Sequence, residues 1–115
     1  MKKDSTVFIE HISECINLIE EYIKGKTKND FFASKQLQDS VIRRIEIIGE
    51  AVKNLPGELK SKYPGIPWKR IAGMRDILIH EYFGIDLELT WRVAKSEIPK
   101  FKKQISGIRK KLSML

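Results

Sequence analysis

Apolar residues recur at three- and four-residue steps over most of this chain, and that period selects helices over strands. Phe8, Ile9, Ile12, Cys15, Ile16, Ile19, Tyr22 and Ile23 form one stripe, the mark of an amphipathic helix that buries a single face. Asp4, Ser5 and Thr6 are candidate N-caps, and Gly25 stands where a C-terminal stop is expected. Thr27 and Asp30 have the spacing of a capping box. Leu37, Val41, Ile45, Ile48, Val52 and Leu55 then carry a second helix to Pro56-Gly57. Its expected length is about 25 residues, or near 40 Å at ~1.5 Å per residue. Gly49 weakens that helix relative to alanine, so its place predicts close approach of another helix backbone. Glu46 and Glu50 lie one turn apart near Arg43 and Arg44. With no histidine beside them, they read as surface ion-pairing residues.

The clearest loop is Pro64-Gly65-Ile66-Pro67, with Pro67 suited to a first helical turn. From Trp68, the positions Ile71, Met74, Leu78, Ile79 and Tyr82 read as helix, with Gly84 as the exit. Asp86 is placed to cap a further helix. Ser96 is placed to cap the last one, with Pro99 in its first turn and Phe101, Ile105, Ile108 and Leu112 on its buried side. His11 reads as a surface or boundary residue. No strand alternation, internal repeat or glycine-rich phosphate loop stands out. The expected architecture is all-α, an antiparallel bundle of four to five helices forming one domain over residues 1–115.

The chain has 115 residues, enough for one core without staples. Its single cysteine cannot form an internal disulfide, and no Cys/His cluster has zinc spacing. No signal-peptide pattern or membrane-length apolar run is visible, so a cytoplasmic location is expected. The net charge of +7 favours acidic partners, nucleic acid among them. The C-terminal basic run supplies Lys102, Lys103 and Arg109 as candidate RNA-binding residues; a solvated helix face is the default reading.

Chemistry concentrates between Arg75 and Tyr82. Arginine holds phosphate in a two-pronged grip, histidine exchanges protons near neutral pH, and tyrosine offers a hydroxyl. On a straight helix at ~100° per residue, Arg75 and Tyr82 fall in line. Asp76 and His80 stack one turn apart, so that Asp76 can orient His80. Arg75 and His80 point about 140° apart. They converge only if the helix loosens, the arginine stem wraps round, or two protomers share the site. RNA carries its own nucleophile, the 2′-OH. Cleavage then needs proton transfer, which histidine supplies, and a cation for the developing charge, which arginine supplies.

The order Arg75-x4-His80-x-Tyr82 resembles the HepT-type toxins of the HEPN superfamily. Arg44 to Ala51, Pro67-Trp68, Gly73-Met74, Asp86 and Trp91 agree with that pattern in order and spacing. The residue after the arginine is often asparagine in the family and is Asp76 here. The resemblance implies a helical homodimer with the motifs at a composite cleft. It implies metal-independent endoribonuclease activity through Arg75 and His80, with no cofactor. It also implies a type VII-like toxin–antitoxin module, in which a minimal nucleotidyltransferase antitoxin transfers AMP to Tyr82. The alternative is a non-catalytic helical module that docks such a partner or a nucleotide.

Overall fold

The computed structural model describes residues 2–80 and 82–114, with side chains from Ser5 onward. Three long helices carry the core: α1 (Lys2–Ile23), α3 (Lys35–Lys53) and α8 (Ile98–Ser113). Shorter elements fill the intervals: α2 (Lys28–Ala33), α4 (Gly57–Ser61), α5 (Trp68–Ala72), α6 (Met74–Leu78) and α7 (Leu87–Arg92). A π-helical turn, Val93–Glu97, joins α7 to α8. The expected all-α bundle is what the chain forms.

Helix α1 packs against both α3 and α8. Its Ile9, Ile12, Ile16 and Ile19 are buried, as are Val41, Ile45, Ile48 and Val52 of α3 and Phe101, Ile105 and Ile108 of α8. Burying side chains of this kind stabilises by roughly 1.5–3 kcal/mol each, before the entropy of ordering them is subtracted. Lys102 pairs with Glu20 while Arg109 pairs with Glu10, so α8 runs antiparallel to α1. Ser5 and Thr6 lie inside α1 rather than capping it, because the helix already begins at Lys2; the side chain of Asp4 lies outside the described residues.

The capping box forms: the Asp30 N–H donates to Thr27 Oγ1 at 3.0 Å, and the Thr27 N–H donates to Asp30 Oδ2 at 2.9 Å. These bonds hold the Asp30 carboxyl below its usual pKa. The expected 25-residue second helix is instead two. Ser34 leaves the helical region and recaps the chain through its side chain, which accepts from the Leu37 N–H at 3.1 Å. Gln38 donates to the freed carbonyls of Phe31 and Phe32 at 3.0 and 3.1 Å. The kink lets Phe31 bury completely against Trp91 of α7, with ring centroids 5.4 Å apart.

Gly49 does what its position implies. A Cβ there would stand 3.0 Å from the Ala72 carbonyl oxygen and 3.3 Å from that of Ile71. A side chain there would press the end of α5 away from α3 by a few tenths of an ångström. Trp68 fixes the other end of α5, its Nε1 donating to the carbonyls of Lys60 and Tyr63, both at 3.1 Å.

At the far end, Asp86 caps α7 by accepting from the Leu89 N–H at 3.0 Å. Ser96 does not cap α8. The helix continues from α7 through the π turn, and Pro99 lies in the first turn of α8. The wider turn comes just before a residue that has no N–H and whose ring crowds the preceding turn.

Candidate ribonuclease site

The single motif helix expected from Trp68 to Tyr82 is broken twice. Gly73 separates α5 from α6, and α6 ends at Leu78. The chain then turns extended: Ile79 and His80 (β1) pair antiparallel with Gly84 and Ile85 (β2), in the register Ile79↔Ile85 and His80↔Gly84. Gly84 has φ +75°, a conformation that suits glycine. The N–H of Asp86 reaches the open carbonyl of Leu78 at 2.7 Å, so the helix end is satisfied by the returning strand rather than by another helical turn.

This break overturns the helical geometry read from sequence. Arg75 and Tyr82 are not in line on one helix, and Asp76 and His80 are not stacked a turn apart. Arg75 and Asp76 belong to α6, His80 to β1, and Tyr82 to the hairpin's turn. The period of Ile71, Met74, Leu78 and Ile79 looks helical, but Ile79 is β-branched and finds its place in a strand pair.

Arg75 projects from α6 over α3. Its Nε donates to Glu46 Oε2 at 2.6 Å, and its Nη1 lies 3.5 Å from Asp76 Oδ1. The bond to Glu46, ahead of the charge attraction, holds the guanidinium above its usual pKa. Glu46 also lies 3.7 Å from Arg43 Nη1. Arg75, Asp76, Glu46, Gly49, Glu50 and Ala72 line a groove of about 410 Å³. The sequence marked Glu46 as an ion-pairing residue but not as the partner of Arg75, 29 residues away; only the fold brings α6 across α3.

His80 is exposed. The turn beyond it carries Tyr82, 86% exposed, and Phe83, 87% exposed. Among the described residues, the carboxylate of Asp76 is placed with Arg75, not as a support for His80. No three His, Cys, Asp or Glu side chains among the described residues gather as a metal-binding group. His11 lies exposed on α1, as expected.

The family model for HepT-like ribonucleases matches residues 12–108. The chain belongs to the HepT-like ribonuclease family. The likeness seen in the motif residues thus extends over nearly the whole fold, and the activity of the HepT-like family is ribonuclease. A "probable ribonuclease HepT" of Thermococcus cleftensis is 44% identical over 96% of this chain and all of its own length. A "putative RNase" of Caldanaerobacter subterraneus is 49% identical over 90% of this chain and 93% of its own. A Methanocaldococcus jannaschii protein named "gamma-glutamylcyclotransferase and putative RNase" is 62% identical over 97% of this chain. The chain spans half the length of that relative. No solved structure matches this chain.

Around this HepT-like site, the basic candidates divide. Lys102 is held by Glu20 at 2.5 Å, and Arg109 grips Glu10 through two bonds of 2.6 and 2.9 Å. Lys103 is exposed. No helix among the described residues is long and apolar enough to cross a membrane.

Proposed function

We propose that this chain is a metal-independent endoribonuclease and the toxin of a type VII-like toxin–antitoxin pair. The exposed hairpin carries this reading: it presents His80 and Tyr82 to solvent, immediately beyond the helix that holds Arg75 over a groove. Arg75 binds the scissile phosphate and balances the charge that builds on it. The imidazole of His80 takes the proton of the 2′-OH as that oxygen bonds to phosphorus. The bond from phosphorus to the 5′-oxygen breaks, and an imidazolium returns a proton to that oxygen. The products are a 2′,3′-cyclic phosphate and a 5′-hydroxyl. A homodimer with two hairpins at one cleft supplies both histidine roles and covers Phe83. Asp76, beside Arg75, lowers the pull on phosphate and so moderates the rate.

Regulation falls to Tyr82. Its hydroxyl oxygen attacks the α-phosphorus of ATP on a nucleotidyltransferase antitoxin; pyrophosphate leaves and the phenolic proton is released. AMP on Tyr82 adds bulk and negative charge two residues past His80, which disfavours RNA phosphate.

Purified protein free of antitoxin, incubated with RNA in EDTA, tests the reaction. Cleavage that leaves 2′,3′-cyclic phosphate ends is expected. Intact RNA, or cleavage only after metal is restored, contradicts it. Intact mass after co-expression with the antitoxin tests the modification. Wild type is expected to gain AMP and Tyr82→Phe to gain none; equal masses gained by both would remove Tyr82 from the account.

A further inference from the structure

Helix α8 runs for 16 residues with six cations and no carboxylate. Two of these cations, Lys102 and Arg109, are neutralised by Glu20 and Glu10 of α1. The other four point elsewhere. At ~100° per residue, Lys100, Lys103, Lys110 and Lys111 fall within an arc of about 100° centred near Gly107. That arc faces away from the buried Ile98, Phe101, Ile105 and Ile108, and all four lysines are exposed.

Three features make this face more than a solvated helix surface. Glu97, the acidic residue at its start, is gripped by Arg70 through two bonds of 2.8 Å, and its attraction to Lys100 ranks behind those to Arg70 and Arg92. Lys111 is held over the ring of Tyr63, 5.5 Å from its centroid, which steadies the charge without neutralising it. Gly107 has open space where a side chain would stand, leaving a low point between the lysines for a backbone to approach.

The face also leads somewhere. At its Lys100 end it meets a mostly apolar pocket of about 250 Å³, where Lys100, Gln104 and Glu97 border Ile98, Phe101, Ile71 and Met74. Met74 directly precedes Arg75, and Ile45 lines both this pocket and the groove that holds Arg75. A stripe of cations ending at a mostly apolar pocket, rimmed by one amide and by a Glu97 carboxylate already held by Arg70, fits a polymer that alternates negative charges with flat, hydrogen-bonding rings. Single-stranded nucleic acid has that form; an acidic peptide supplies the charge but not the ring.

We infer that the outer face of α8 is a track for the phosphates of single-stranded RNA, and that the pocket beside Lys100 takes one base, with Gln104 at its edge. The track spans about 16 Å from Lys100 to Lys111 and delivers the strand toward Arg75. The inference rests on the ribonuclease reading and names the surface by which that site holds its substrate. It replaces Lys102 and Arg109 with Lys100, Lys110 and Lys111, and keeps Lys103.

The test uses a 2′-O-methyl oligoribonucleotide, which binds but lacks the nucleophile. Its affinity is measured against salt concentration for wild type, for the triple variant K100Q/K103Q/K111Q and for the control K102Q/R109Q, with circular dichroism to confirm helix content. Each phosphate contact contributes about 0.7 to the slope of log K against log salt for a single strand. The triple variant is expected to be shallower by about 2, and the control by less than one contact, about 0.7. Equal slopes for wild type and the triple variant, or a larger loss in the control, overturn the track. For the pocket, probes differing in base are ranked. Gln104→Leu is expected to flatten the wild-type ranking by several-fold; an unchanged ranking overturns the base subsite. If unmodified RNA is cut while the slopes agree, the track alone fails. If wild type neither binds nor cuts RNA, the ribonuclease reading fails with it.

Discussion

The junction of α3 with α5 and the hairpin from Ile79 to Ile85 lie at opposite extremes of the same short stretch of chain. At Gly49 a single added carbon would meet a backbone oxygen at 3.0 Å. Eight to eleven residues past that contact at Ala72, His80, Tyr82 and Phe83 stand in solvent. The motif from Arg75 to Tyr82 bridges the two. Its arginine end is fastened to the scaffold through Glu46, and its histidine and tyrosine end is presented on a turn. The proposed cleavage and the proposed modification of Tyr82 use both: a cation held in register by packing, and reactive groups that a second protein can reach. Substitutions in the first region are therefore expected to act on stability, and those in the second on chemistry.

The largest stability effect is expected from Gly49→Val. Its Cβ and two methyl groups must displace the backbone of α5, a form of overpacking that costs typically 1–3 kcal/mol, and valine is a poor helix former besides. Urea unfolding should show a loss of at least about 2 kcal/mol. An unchanged midpoint would mean that α5 does not rest on α3 as described.

Glu46→Gln comes next and sits at the boundary of the two regions. Glu46 holds Arg75 and, in the proposed reaction, competes with phosphate for it. Removing its charge is expected to tighten binding of 2′-O-methyl RNA several-fold while lowering kcat, because the guanidinium loses its positioning partner. Unfolding should move by no more than about 1 kcal/mol, the scale of a partly exposed ion pair. Equal affinity and equal kcat would show that the pair has no bearing on the site.

A smaller, pH-dependent effect belongs to the scaffold side. The bidentate bond from Arg70 holds the Glu97 carboxyl below its usual pKa. A depressed carboxylate contributes stability that is fully present above the unfolded pKa and lost as pH falls through the lower folded value. Both groups are more than a third exposed, so solvent screening keeps the contribution under about 1 kcal/mol. Acid titration of unfolding should be flatter for Glu97→Gln than for wild type below the ordinary carboxylate range; superimposable curves would remove this link.

The smallest stability effects are expected in the turn. Tyr82→Phe and Phe83→Ser should leave monomer unfolding within about 0.5 kcal/mol, as exposed substitutions usually do. A loss above about 1 kcal/mol would show that these rings pack in the free protein.

The same contrast explains what could be read from the sequence. Features decided by neighbours in the chain were legible: the Thr27–Asp30 box, the Asp86 cap and the stop at Gly25 each depend on a few adjacent residues. Gly49 was legible because a glycine inside an apolar-patterned helix has few other uses. Features decided at a distance were not. Nothing near Leu78 says that its carbonyl will be met by Asp86, or that Ile79 will pair with Ile85 rather than continue a helix whose period it fits. The break at Ser34 depends on where Phe31 finds Trp91, and the partner of Arg75 on how α6 crosses α3. In the basic C-terminal helix the charges were plain, but which of them α1 would neutralise depended on the packing of the two helices.

The central claim is that the exposed hairpin, not the packed core, carries the chemistry. One variant measured twice tests it most directly: His80→Ala, assayed for RNA cleavage in EDTA and for urea unfolding in the same preparation. Loss of a proton-transfer group costs typically 10²–10⁴-fold. Cleavage is therefore expected to fall by at least about 10²-fold, with unfolding unchanged within about 0.5 kcal/mol. Cleavage at the wild-type rate would contradict the account, and so would a loss of activity that merely follows a loss of folding.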